Sequence, residues 1–226
     1  MTSAEQYVQS VEAALRPLAD SGRAVAMTAY MKDHFPFLGI PSTPRRAALK
    51  ALPKPSPYDV PAIFASLWAL EEREFHYTAL DILERAAKKL DAAMTLDQVE
   101  AFTQTKTWWD SVDVFAGIAS DILHRNPNLR DIVWRWSEHP NFWVNRLAIL
   151  HQNGWKRDTD PAILFKLALD HADSDQFFIR KAIGWALRDY AWVEAAAVQG
   201  FVSENRTKLS PLTVREALKN VGSGRV

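Results

Sequence analysis

Apolar positions recur at helical spacing almost from the first residue. Val8, Val11, Leu15 and Leu18 fall on one stripe at about 100° per residue, which predicts a helix over residues 3–20 with Gly22 just past its end. A second helix is predicted from Arg23 to His34. The stretch Phe35-Pro36-Phe37-Leu38-Gly39-Ile40-Pro41 stops it, because two prolines and a glycine force a loop. Ser42 and Thr43 ahead of Pro44 then start a helix that carries Arg45, Arg46 and Lys50 and ends at Pro53, Pro55 and Pro57. From there one helical period follows another with short connections, and the alternation of Val, Ile and Thr that marks strands is missing. The fold class is all-α.

A longer period lies over the helical one. Aligning Phe75-to-Leu83, Trp109-to-Leu123, Trp143-to-Leu150, Phe178-to-Leu187 and Val214-to-Leu218 puts alanine at 79, 116, 148, 182 and 217, in steps of 37, 32, 34 and 35 residues. That spacing is typical of helical repeats, where each unit is a helix pair that buries its apolar side by stacking on its neighbours. We therefore expect a single solenoid over residues 1–226, with 222–226 a frayed tail. Its concave surface should be lined by the second helix of each pair, and the alanines should let those helices approach closely.

One stretch stands out from the generic pattern. In Lys106-Thr107-Trp108-Trp109-Asp110-Ser111-Val112-Asp113, Thr107 and Asp110 have the spacing of a capping box, with a shorter acid in place of Glu. Trp108, Val112, Phe115, Ala119, Ile122 and Leu123 share the apolar stripe of the helix that follows. Trp109 and Asp113 lie off that stripe, one turn apart, on a face continued by Gly117 and Ser120, both too small to cover what lies above them. The helix from Phe178 to Tyr190 repeats the arrangement. Ile179, Ile183 and Leu187 form its stripe, and Lys181, Trp185 and Arg188 gather on one flank beside Gly184. Arg146 lies in the inner helix between these two and is open to either of two roles, a buried partner for a carboxylate or a ligand contact. Trp68, Trp134, Trp136, Trp155 and Trp192 lack such neighbours and are expected to be structural.

Composition narrows the chemistry. The chain has no cysteine, which removes disulfides, thiolate nucleophiles and cysteine-held metal centres. Six histidines stand singly at 34, 76, 124, 139, 151 and 171 without ligand spacing, so no metal site is expected. There is no Gly-x-Ser-x-Gly elbow and no phosphate-cradling glycine loop, since Gly222-Ser223-Gly224 follows no strand. The amino terminus is acidic and the apolar runs are far shorter than the ~20 residues of a membrane span, so a cytoplasmic protein is expected. Net charge is zero, yet residues 53–103 hold five Lys/Arg against nine Asp/Glu, and residues 180–226 hold eight against four. That asymmetry allows a basic face on a neutral molecule. Arg45, Arg46 and Lys50, like Arg206, Lys208, Arg215 and Lys219, suit either a solvated face or phosphate contacts.

The ordered blocks along the chain resemble the AlkD-type alkylpurine DNA glycosylases, repair enzymes built of HEAT-like repeats. The resemblance rests on Tyr30-Met31-Lys32-Asp33-His34-Phe35 with Phe37-Leu38-Gly39-Ile40, on Pro44-x-Arg46, and on Leu67-Trp68 with Glu72-Arg73-Glu74-Phe75. It continues through Lys106-to-Asp113, Ala182-Ile183-Gly184-Trp185-x-Leu187-Arg188 and Pro211-Leu212-x-x-Arg215-Glu216-Ala217. It departs at Thr107, where serine is common, and at the additional Pro41. The resemblance implies Asp113 as the catalytic carboxylate, Trp109 and Trp185 as lesion contacts, and Arg146 and Tyr30 as residues facing DNA. It further implies excision of cationic N3- and N7-alkylated purines from double-stranded DNA, without metal or other cofactor, by holding the backbone around the lesion instead of extruding the base. A monomer acting in the bacterial cytoplasm on nucleoid DNA would suit that work. The residues leave two other readings open: a catalytically silent module that binds damaged or branched DNA, and a scaffold for proteins.

Overall fold

The computed structural model describes residues 4–219 and Val221, so the tail expected at 222–226 lies outside them, and every regular element among the described residues is a helix. The chain divides into two compact units, one ending at Asp91 and the other starting at Ala92.

The first unit contains α1 (Ala4–Leu15), α2 (Ser21–Tyr30), α3 (Ser42–Ala48), α4 (Val60–Ala69) and α5 (Arg73–Ala86). α1 stops at Leu15 and hands over to a 3-10 turn at Arg16–Leu18, because Pro17 lacks the N–H that would continue the ladder. α2 begins earlier than the sequence suggests. The Asp20 carboxylate caps it by accepting from Arg23 N at 3.0 Å, so Gly22 lies in its first turn and stops nothing. It ends at Tyr30, ahead of Lys32 and Asp33, which both take left-handed backbone at φ 56° and 60°. No residue of α2 is fully buried. α3 starts without a side-chain cap, contrary to the role expected for Ser42 and Thr43, since Pro41 occupies the capping position. The loop between α2 and α3 is tied down from α5. The fully buried Glu74 carboxylate accepts the backbone N–H groups of Leu38, Gly39 and Ile40, each at 2.9 Å. Gly39 takes φ 89° there and lies against the Asp20 carbonyl where no side chain fits.

The second unit holds α6 (Ala92–Phe102), α7 (Trp109–Arg125), α8 (Ile132–Ser137), α9 (Phe142–Leu150), α10 (Pro161–Asp170), α11 (Phe177–Ala191), α12 (Ala195–Glu204) and α13 (Pro211–Ala217). The helices pair as α6 with α7, α8 with α9, α10 with α11 and α12 with α13, and the second members stack in sequence, α7 on α9, α9 on α11, α11 on α13. This is a helical-repeat fold. The five alanines of the expected register are all buried, each inside the second helix of its pair. The same period governs the polar contacts. Trp136 Nε1 donates to Glu100 36 residues back, Trp155 Nε1 to the Ser120 hydroxyl 35 back, and the Thr213 hydroxyl to the Arg180 carbonyl 33 back. Asn141, Asp160 and Ser210 cap α9, α10 and α13, the last two with proline in the first turn. Of the tryptophans expected to be structural, Trp68, Trp136 and Trp155 are buried and Trp134 half-buried against Lys166. Trp192 is the exception. It sits at the C-cap of α11 and is 59% exposed.

Candidate active site

α7 starts where the sequence changes character, with a cap different from the expected one. The Thr107 hydroxyl donates to the Thr103 carbonyl at 2.7 Å and is spent on the preceding turn. Trp108 becomes the N-cap in extended backbone, and its indole cannot accept a hydrogen bond. Ser111, the third helical residue, supplies the missing acceptor. Its hydroxyl receives the Trp108 N–H at 3.4 Å and donates to the Trp108 carbonyl at 3.0 Å. Asp110 adds a negative charge to the first turn, where the helix dipole favours one.

The Trp108 ring anchors the start of α7 to its neighbours. It meets Phe178 edge-on at 5.2 Å and Trp143 at 6.0 Å, and Trp143 lies on Phe178 at 4.9 Å. The aromatic residues thus join the N-terminal ends of α7, α9 and α11, fixing the helices on which the polar site residues stand.

One turn beyond Trp109, Asp113 meets Arg146 from α9. Arg146 is buried, and its Nε and Nη2 both reach Asp113 Oδ1, at 2.9 and 2.7 Å, while Nη1 donates to the Phe178 carbonyl of α11. The guanidinium therefore links three successive inner helices. The Asp113 side chain keeps 24% of its surface, and Oδ2 takes no hydrogen bond from the described residues. Burial pushes the Asp113 carboxyl above the ordinary carboxylate range. Arg146 opposes that shift, and the nearby Asp110 adds to it. Gly117, one turn further, leaves open space where a side chain would stand. Ser120 does not extend this notch, contrary to expectation. It is buried, donating to the Asn153 carbonyl at 3.1 Å and accepting from Trp155.

On α11, Trp185 is half-exposed, as is Trp109 on α7. Lys181 and Arg188 flank Trp185, and both bind Glu216 of α13, Nζ at 3.0 Å and Nη1 at 2.6 Å. Gly184 makes this possible by letting α13 approach until a Cβ on it would lie 2.5 Å from that of Glu216. Sequence reasoning missed this carboxylate as a partner. The signal was present, since Lys181 and Glu216 are one repeat apart, as Asp113 and Arg146 are.

Tyr30, Arg45 and Arg46 belong to the first unit. Tyr30 ends α2 with its ring exposed. Arg45 is buried, donating to the Thr78 hydroxyl at 3.0 Å and to Asp81 at 2.7 Å, so it holds α3 to α5 and offers nothing to a phosphate. Arg46 shares Asp81 from an exposed position. Among the described residues no group of His, Asp and Glu is placed to hold a metal ion, and no helix is long and apolar enough to cross a membrane.

The protein family described as DNA alkylation repair enzyme matches residues 11–221, nearly the whole chain. The chain belongs to the DNA alkylation repair enzyme family. A solved structure described as a predicted DNA alkylation repair enzyme from Enterococcus faecalis is 28% identical, with a TM-score of 0.83 over 91% of this chain and 98% of that one. No curated protein matches the chain. As a member of the DNA alkylation repair enzyme family, the chain carries its partly open carboxylate and half-exposed tryptophans on inner helices of the repeat.

Proposed function

We propose that the protein is a monofunctional DNA glycosylase that hydrolyses the N-glycosidic bond of cationic N3- and N7-alkylated purines in duplex DNA. The observation that carries this is the asymmetry of Asp113: one oxygen is held by a buried Arg146, the other takes no hydrogen bond from the described residues, and Gly117 one turn further leaves open space. A purely structural ion pair has no need of that opening.

The chemistry follows from the substrate's charge. An alkylated purine is already cationic, so cleavage of its bond to the anomeric carbon returns the bonding electron pair to the ring and neutralises it. No acid is needed for departure, and the task left is to stabilise the oxocarbenium-like sugar and to direct water. A carboxylate one turn from a half-exposed indole does both. Asp113 Oδ2 faces the developing positive charge and orients the attacking water, whose proton passes to the carboxylate or to solvent, while the faces of Trp109 and Trp185 stabilise the cationic sugar and base. Lys181, the lysine of this face, is engaged in an ion pair with Glu216 and is not poised as an amine nucleophile, which favours hydrolysis without strand cleavage.

The test is release of free base from methylated duplex DNA. Wild type should liberate 3-methyladenine and 7-methylguanine, and Asp113→Asn, which keeps the shape but not the charge, should release them about 100-fold more slowly or less. Equal release by the two proteins, or none by wild type at any enzyme concentration, refutes the proposal.

A further inference from the structure

Lys181 and Arg188 stand one turn to either side of Trp185, where cations would meet the phosphates flanking a bound nucleotide. Neither is left to solvent. Glu216 accepts Lys181 on Oε1 and Arg188 on Oε2, and the side chains are 37%, 22% and 12% exposed for Lys181, Arg188 and Glu216, so the cations cover the carboxylate from outside. Burial by itself would push the Glu216 carboxyl up, but the two cations hold it below its ordinary value, and it stays an anion near neutral pH. The close approach over Gly184 sets Glu216 at this distance, so it is not a mobile surface acid that drifted into reach.

We infer that Glu216 is an internal competitor for the DNA backbone: its two oxygens occupy the cations that would otherwise bind phosphodiester oxygens beside Trp185, and so set how firmly this face holds DNA. The inference rests on the proposal that DNA is the substrate. A carboxylate and a phosphodiester offer the same arrangement of two oxygens to a lysine and an arginine, so binding one displaces the other. The cluster carries one net positive charge where the cations alone would carry two. On a chain with no net charge, that difference weighs on affinity for undamaged duplex and on its dependence on salt.

The experiment is fluorescence anisotropy of a labelled undamaged duplex against wild type, Glu216→Gln and Lys181→Gln over a series of KCl concentrations. Glu216→Gln keeps the side chain's size and removes its charge. Its affinity should rise several-fold at low salt, and the slope of log K against log salt should steepen by about 0.9 for each cation released, up to about 1.8. Lys181→Gln should flatten the wild-type slope by clearly less than the 0.9 of a full phosphate contact, because that ammonium is committed to Glu216. A lowered unfolding midpoint for Glu216→Gln with an unchanged slope would show a merely structural carboxylate and overturn the inference. So would a full 0.9 loss in Lys181→Gln, which remains readable if Glu216→Gln does not fold. Because the duplex carries no lesion, these slopes are independent of base release. A protein that binds DNA as described but releases no alkylpurine would sink the glycosylase proposal alone, while normal base release with unchanged slopes would sink this inference alone.

Discussion

Asp113 and Arg146 act as a unit because neither is tolerable alone in its surroundings. Arg146 is buried and, among the described residues, its charge is compensated by Asp113 Oδ1 and the Phe178 carbonyl, while Asp113 is held in its charged form against burial chiefly by Arg146. The active species of the proposed reaction is the carboxylate, and its folded pKa lies above the ordinary value, so activity should fail on the acid side at a higher pH than a solvent-exposed aspartate would dictate. Replacing Arg146 with Gln removes the group that opposes the shift. The acid limb of the rate of 7-methylguanine release should then move to still higher pH, with slower release at pH 7 recovering as the buffer is made more alkaline. A rate that is reduced equally at every pH would mean that Arg146 contacts DNA and does not position Asp113.

At the scale of elements, glycine decides how closely the inner helices stand. Alanine at 184 would bring a Cβ within 2.5 Å of the Glu216 Cβ and 2.9 Å of the Thr213 carbonyl, and neither the root of that side chain nor the backbone carbonyl can yield without moving α13. Overpacking of this kind costs roughly 1–3 kcal/mol, which outweighs the roughly 1 kcal/mol gained in helix propensity. Gly184→Ala should therefore lower the midpoint of urea unfolding. Gly117→Ala, in the same helical context but with open space above it, should raise that midpoint by a fraction of that propensity gain. Both outcomes depend on packing, and packing is where legibility in the sequence ends. The alanine register found the inner helices and their stacking, because a repeat imprints its period on the residues that must be small. The face carrying Trp109 and Asp113 was legible for the same reason, since helix geometry separates it from the stripe of Val112 and Phe115. The cap of α7 was not, because the choice between Thr107 and Ser111 depended on the Thr103 carbonyl at the end of another helix. Arg45 misled for a related reason. A helix-start arginine reads as solvated until a partner such as Asp81, 36 residues on, is known to lie beneath it. The Glu216 cluster needed the repeat step applied to charges as well as to alanines.

The stability of the whole molecule should follow pH mainly through a histidine remote from the proposed chemistry. His151, at the end of α9, is fully buried against Trp155, with Nδ1 bonded to the Ala148 carbonyl at 2.6 Å. Burial lowers its pKa from 6.5 to about 4, with the Ala148 bond opposing and Arg130 assisting. The unfolded chain therefore binds a proton that the folded chain refuses throughout the interval from about 6.5 to about 4. Stability is unaffected above that interval and falls as the pH is lowered through it, by on the order of 3 kcal/mol in all. His171, lowered by burial, acts in the same direction. Asp113, with its raised folded pKa, acts oppositely, gaining stability relative to the unfolded chain as it protonates. Glu216 and Asp81 enter only lower, since carboxylates held below 4.5 and 3.8 lose their contribution as the pH falls through those values and beneath. Between pH 6.5 and 5 the histidines should dominate. Urea unfolding of wild type across that range should show a steady loss of stability, and His151→Phe, which keeps an aromatic ring against Trp155, should show a shallower one by close to one proton. An unchanged slope in His151→Phe would mean that the ring is charged in the folded protein, and the acid sensitivity would then have to come from His171 and the carboxylates.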